Sequence, residues 1–78
     1  MKLYGYAKKD TGNGLLEMKE VSVSASPDVL RKMAAFLLSC ADRMERDPMR
    51  WEHDHFNPTV KPSSRQLSDL IVCNPKIK

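Results

Sequence analysis

Both histidines and the only tryptophan fall in one hexapeptide, Trp51-Glu52-His53-Asp54-His55-Phe56. Imidazoles bind metals and exchange protons near neutral pH, carboxylates serve as ligands or bases, and tryptophan anchors interfaces. Read as a strand, the segment turns His53 and His55 to one side and Glu52 and Asp54 to the other, because strand side chains alternate. Read as a helix, it spreads the four around the axis. A His-x-His pair offers two zinc ligands, whereas catalytic zinc usually has three from protein. No third ligand declares itself, so a metal-binding or metal-regulated domain built on His53 and His55 is the alternative reading. The plainer one packs one histidine on a sheet and bonds the other to a backbone group or carboxylate.

Other chemistry has less support. The sequence contains no GxSxG elbow, no HExxH helix and no GxxxxGK[ST] loop. A triad is defined by geometry, so the mere presence of Ser, His and Asp implies none. Thr11-Gly12-Asn13-Gly14 reads as a hairpin turn rather than a phosphate cradle. Cys73 beside Asn74 can be imagined as a thiol site, but a cysteine in an apolar strand is normally inert. No catalytic residue, no enzymatic activity and no cofactor are expected.

Recognition remains. Tyr4, Tyr6, Trp51 and Phe56 are the aromatic anchors, with Arg43, Arg46 and Arg50 near the end of the helix, and such residues dominate interface hot spots. Glu52 and Asp54 suit a basic partner surface. The candidate partner-binding set is Tyr4, Trp51, Glu52, His53, Asp54 and His55. For Tyr4 and Trp51 a packing role stands equally open, and for Tyr6 packing is favoured.

The chain has 78 residues and a net charge of +3. That is one small domain, 1–78, and so short a chain buries only about 60% of its unfolded surface. A thin core leaves little room for a substrate cavity. The charge excess sits in residues 49–78, five basic against three acidic, without a basic-aromatic stripe. Nucleic-acid binding needs a more concentrated footprint, so it is not expected. Cys40 and Cys73 lie in separate apolar runs and form no CxxC motif, which reads as two buried thiols in a reducing compartment. No apolar leader and no membrane span are recognised. A cytoplasmic protein is expected.

These residues must be positioned by few elements. Residues 2–7 alternate, with Leu3, Gly5 and Ala7 opposite Tyr4 and Tyr6, which predicts a strand. After the glycine turn a second strand is strongest at Val21–Ala25. Leu16 and Met18 have the opposite parity there, so a bulge or twist near Glu17–Lys19 is expected. Ser26, Pro27 and Asp28 open a helix as cap, first-turn proline and dipole partner. Leu30, Met33, Ala34, Leu37, Cys40, Ala41 and Met44 recur at helical spacing as its core stripe, and Pro48 ends it near Arg46 or Asp47. A third strand starts near Trp51, and residues 57–64, with two prolines and two serines, form a loop. A fourth strand over 67–74 is covered on at least one face and central in the sheet, with Pro75 ending it. The expected fold is α+β: a mainly antiparallel four-stranded sheet with one helix packed on one face, in the order ββαββ. A homodimer through a free sheet edge is compatible with it.

Taken together, Met1-Lys2-Leu3-Tyr4-Gly5-Tyr6-Ala7, Ala25-Ser26-Pro27, Ala34-Ala35-Phe36-Leu37, Glu52-His53-Asp54-His55-Phe56, Asp69-Leu70-Ile71-Val72 and Asn74-Pro75 resemble the immunity protein 32 family of bacterial polymorphic toxin systems. The resemblance spans nearly the whole chain. It implies a small cytoplasmic protein that binds and neutralises a toxin encoded nearby, and it brings no catalytic residues.

Overall fold

The computed structural model describes residues 1–12, 14–56 and 69–77. Its elements follow the order ββαββ: β1 (Lys2–Asp10), β2 (Leu16–Ser24), α1 (Pro27–Arg46), β3 (His53–Phe56) and β4 (Leu70–Cys73). β1 and β2 form an antiparallel hairpin whose turn is held by side chains and glycine. Asp10 Oδ1 accepts from the Gly12 amide at 2.8 Å, and the Thr11 hydroxyl donates to the Leu15 carbonyl at 2.7 Å. Gly12 and Gly14 take φ of 88° and 87°, a region costly for any residue with a Cβ.

The ladder pairs Leu3 with Val23, Gly5 with Val21 and Ala7 with Met18, and it skips Lys19 and Lys8 at two register shifts. The first irregularity falls where the parity of β2 changes. It carries Met18 onto the same face as Val21 and Val23, since directly opposed residues share a face. Met18 then lies over Gly5, where a Cβ would collide with Met18 Cε and the Glu20 carbonyl.

α1 begins as its sequence dictates. The Ser26 hydroxyl accepts from the Val29 amide at 3.2 Å, Pro27 occupies the first turn, and Lys32 pairs with Asp28 at 3.2 Å. Such a cap is worth about 1 kcal/mol. At the other end the Asp47 amide closes on the Arg43 carbonyl at 3.1 Å, and Pro48 prevents continuation.

α1 packs on β3 and β4. Among the described residues the buried apolar ones are Met33, Cys40 and Phe56, and Phe36 meets Phe56 with ring centroids 5.2 Å apart. The rest of the expected helix stripe is less covered: Met44 is half-buried, whereas Leu30, Ala34, Leu37 and Ala41 are exposed.

Several expectations need correction. The strands lie in two separate two-stranded sheets, β1–β2 and β3–β4, instead of one four-stranded sheet. Apolar alternation specifies which face of a strand is buried but not which edge it pairs with, and both pairings join strands adjacent in sequence. β4 is therefore not central among the described residues. β3 starts at His53, two residues after Trp51, whose amide is instead bonded to the Asp47 carbonyl at 3.0 Å. Cys73 is exposed, unlike buried Cys40, because Leu70 and Val72 take the helix-facing positions of β4. The loop at 57–64 and the first part of the 67–74 strand, Leu67 and Ser68, lie outside the described residues. Among the described residues no helix is long and apolar enough to cross a membrane.

Candidate functional site

β3 and β4 pair antiparallel, with His53 opposite Cys73, Asp54 opposite Val72, His55 opposite Ile71 and Phe56 opposite Leu70. Alternation sends Asp54 and Phe56 toward α1 and leaves His53 and His55 on the outer face with Ile71 and Cys73. The histidine side of the hexapeptide is thus as the strand reading has it. The acid side is not, because Glu52 precedes the strand and lines the outer groove with the histidines.

On the inner face Asp54 belongs to the fold. Its Oδ2 accepts from Arg43 Nη2 at 2.8 Å, and its Oδ1 accepts from the His55 amide at 2.8 Å. The Arg43 guanidinium and, second to it, the His55 amide hold the Asp54 carboxyl below the usual carboxylate range. The same arginine lies over the Trp51 ring, 5.6 Å from its centroid, and touches Cys40 Sγ at 3.6 Å. Burial pushes the Cys40 thiol up, an effect that nearby Arg43 partly opposes. Trp51, Arg43 and Asp54 therefore form one stack at the C-terminal end of α1, and Trp51 is half-buried in it.

Outside, a groove of about 510 Å³ is lined by Glu52, His53, His55, Ile71, Cys73 and Ile77. The two imidazoles meet edge-on, centroids 5.4 Å apart. His55 Nδ1 lies 2.7 Å from Asp69 Oδ2. A proton shared along that contact leaves Nε2 as the acceptor of a neutral His55 ring. Among the described residues no cluster of three or more His, Cys, Asp or Glu side chains is arranged to hold a metal. The His53/His55 pair thus gains no third ligand there.

Tyr4 does not join this site. It sits on β1, in the other sheet, opposite Ser22 and exposed. The sequence-based set also lacks Ile71, Cys73, Ile77 and Asp69. Pairing the HDHF and LIVC runs in antiparallel register would have found Ile71 and Cys73, since they are the cross-strand partners of the histidines.

A second omission is Asn74, which is almost fully buried. Its Nδ2 donates to the Pro48 and Trp51 carbonyls, both at 2.8 Å, while its Oδ1 accepts from the Lys76 amide at 3.0 Å. Its own amide donates to the Glu52 carbonyl at 2.8 Å. One side chain thereby ties the connection after α1 to the end of β4 and fixes where the hexapeptide starts.

Residues 20–75 match the model of the family described as immunity protein 32. The chain belongs to the immunity protein 32 family. The matched span starts inside β2 and takes in α1, β3, β4 and Asn74, so the histidine groove lies within it, while β1 and Tyr4 lie before it. Membership carries a general role in toxin neutralisation and, with it, a toxin as the general kind of partner. No curated protein and no solved structure matches the chain.

Proposed function

We propose that this chain is a non-enzymatic immunity protein, acting as one small cytoplasmic domain that binds a cognate toxin encoded nearby through the outer face of β3–β4. The observation that carries this reading is the groove bearing His53, His55 and Glu52 beside exposed Ile71. It joins apolar area to donors and acceptors that the fold does not consume on its inner side, the combination found at interface centres. Of the six candidate contact residues, Glu52, His53 and His55 are contact groups. Asp54 and Trp51 act by holding the strand through Arg43, and Tyr4 is peripheral.

The test is co-expression with the neighbouring toxin, followed by titration calorimetry of the purified pair. Wild-type chain protects and binds. His53→Ala with Ile71→Ala weakens binding at least about tenfold, the equivalent of 1.4 kcal/mol, while the circular dichroism spectrum is unchanged. Full affinity in that variant would remove the groove from the interface, and absence of both binding and protection would remove the function itself.

A further inference from the structure

His55 is held at two points, each time by a carboxylate. Asp54 Oδ1 accepts from its amide at 2.8 Å, and Asp69 Oδ2 lies 2.7 Å from its Nδ1. An ionised carboxylate only accepts, so Nδ1 carries the proton and Nε2 of the neutral ring presents a lone pair. Among the described residues neither His55 Nε2 nor the Glu52 carboxylate has a hydrogen-bond or ion-pair partner. Asp54, the other acid of the hexapeptide, is taken by Arg43 on the inner face.

Glu52 and His55 line the outer groove of about 510 Å³, beside Ile71 and Ile77, which are 47% and 42% exposed. Among the described residues that lining includes no Lys or Arg, so with neutral imidazoles Glu52 and the adjoining Asp69 make the groove negative. That is the reverse of the chain's net charge of +3. An acidic guest would meet like charge there, and a wholly apolar one would bury two acceptors unpaired. A guest with an apolar stem and a cationic, donor-rich head meets neither penalty.

We infer that the groove receives an arginine side chain of the toxin, its stem along Ile71 and Ile77 and its guanidinium against Glu52 and His55 Nε2. The inference rests on the toxin-binding reading of the same groove. Arginine is selected over lysine because its planar fork of donors engages a carboxylate and an imidazole together. Asp69 and Asp54 are positioning residues, one fixing the tautomer of His55 and the other its backbone. The titratable groups around His55 are His53, Glu52, Asp69 and Cys73, and the Arg43 charge arriving from α1 is neutralised by Asp54. Protonating His55 turns Nε2 from acceptor into donor and sets a positive charge against the guest.

NMR titration of the full chain tests the chemistry without toxin, with N-acetyl-arginine amide as the probe and its uncharged isostere N-acetyl-citrulline amide as the control. Arginine should move the His55 ring and Glu52 carboxyl signals and bind at least about threefold more tightly than citrulline, the scale of a half-exposed charge pair. Glu52→Gln should abolish that preference. Asp69→Asn should mix the His55 tautomers, read directly from the ring nitrogen-15 shifts, and weaken arginine at an unchanged circular dichroism spectrum. Lowering the pH from about 8 to about 5.5 should weaken arginine binding to the wild-type chain. Equal binding of the two probes, no shift with either, tighter binding of N-acetyl-lysine amide, or binding that strengthens on acidification overturns the arginine assignment. Calorimetry with the neighbouring toxin separates the two levels. Glu52→Gln should weaken that complex at least about tenfold, as loss of a buried charged contact does. A toxin that binds wild type and Glu52→Gln equally sinks the arginine and spares the groove, whereas a toxin that binds neither sinks both.

Discussion

Replacing Asn74 tests whether the architecture of the site depends on one side-chain clamp. Asn74→Ala removes two bonds to the Pro48 and Trp51 carbonyls and one from the Lys76 amide, and spares the backbone bond to Glu52. At about 1 kcal/mol net per bond, the loss is roughly 3 kcal/mol. Unfolding entropy of about 2.1 cal/mol/K per residue turns that into a fall in melting temperature of roughly 18 °C for a chain of this length. A single core in so short a chain supplies only about 3–5 kcal/mol, so unfolding is best followed in urea with trimethylamine N-oxide present to keep the variant folded. Asn74→Asp separates the clamp from mere packing. Its carboxylate would face two carbonyl oxygens, so at pH 7 it should cost more than alanine; these surroundings raise the folded-state value of the acid, and the gap should narrow as pH falls from there toward the ordinary aspartate range near about 4. If alanine costs less than about 0.5 kcal/mol, the range of ordinary surface substitutions, or if aspartate and alanine are equal at all pH, the clamp does not hold the site.

Gly5→Ala sets a Cβ against the Glu20 carbonyl and Met18. It should cost about 1–3 kcal/mol, as overpacking does, seen as faster amide exchange across β1 and β2. Phe56→Leu keeps an apolar side chain but loses the pairing with Phe36; a drop of about 1 kcal/mol in urea stability is expected from the aromatic term. Arg43 lowers the Asp54 carboxyl in the folded state, so the pair stabilises above the ordinary aspartate range, near pH 4. That contribution is lost as pH falls through the lower folded value. Asp54→Asn should flatten the acid limb of the stability curve, and a wild-type limb no steeper than the variant's would refute the assignment.

The helix was the most legible part of the chain. Ser26, Pro27 and Asp28 at one end and Pro48 at the other are local signals, and local chemistry sets helix ends. The change of parity between Met18 and Val21 likewise pointed to an irregular ladder where one occurs. The antiparallel β1–β2 hairpin was legible from its glycine turn, but whether the two strand pairs join into one sheet was not, because a period-two pattern marks the buried face of a strand and not the edge it pairs with. Cys73 was misjudged for a related reason: in a four-residue run, hydrophobicity alone does not tell which parity faces the helix. Asn74 was hidden differently, since an asparagine before a proline reads as an ordinary turn, and nothing local reports that its amide reaches back to Pro48 and Trp51.

The unequal exposure of the two thiols has a practical consequence. Cys40 is sealed beneath Arg43 with its thiol held protonated by burial, whereas Cys73 opens onto the groove beside His53. A maleimide dye added to the native chain should therefore attach at Cys73 alone. The unmutated protein comes with a single-site optical reporter on the face assigned to the toxin, and the approach of a partner can be timed by the quenching of that dye.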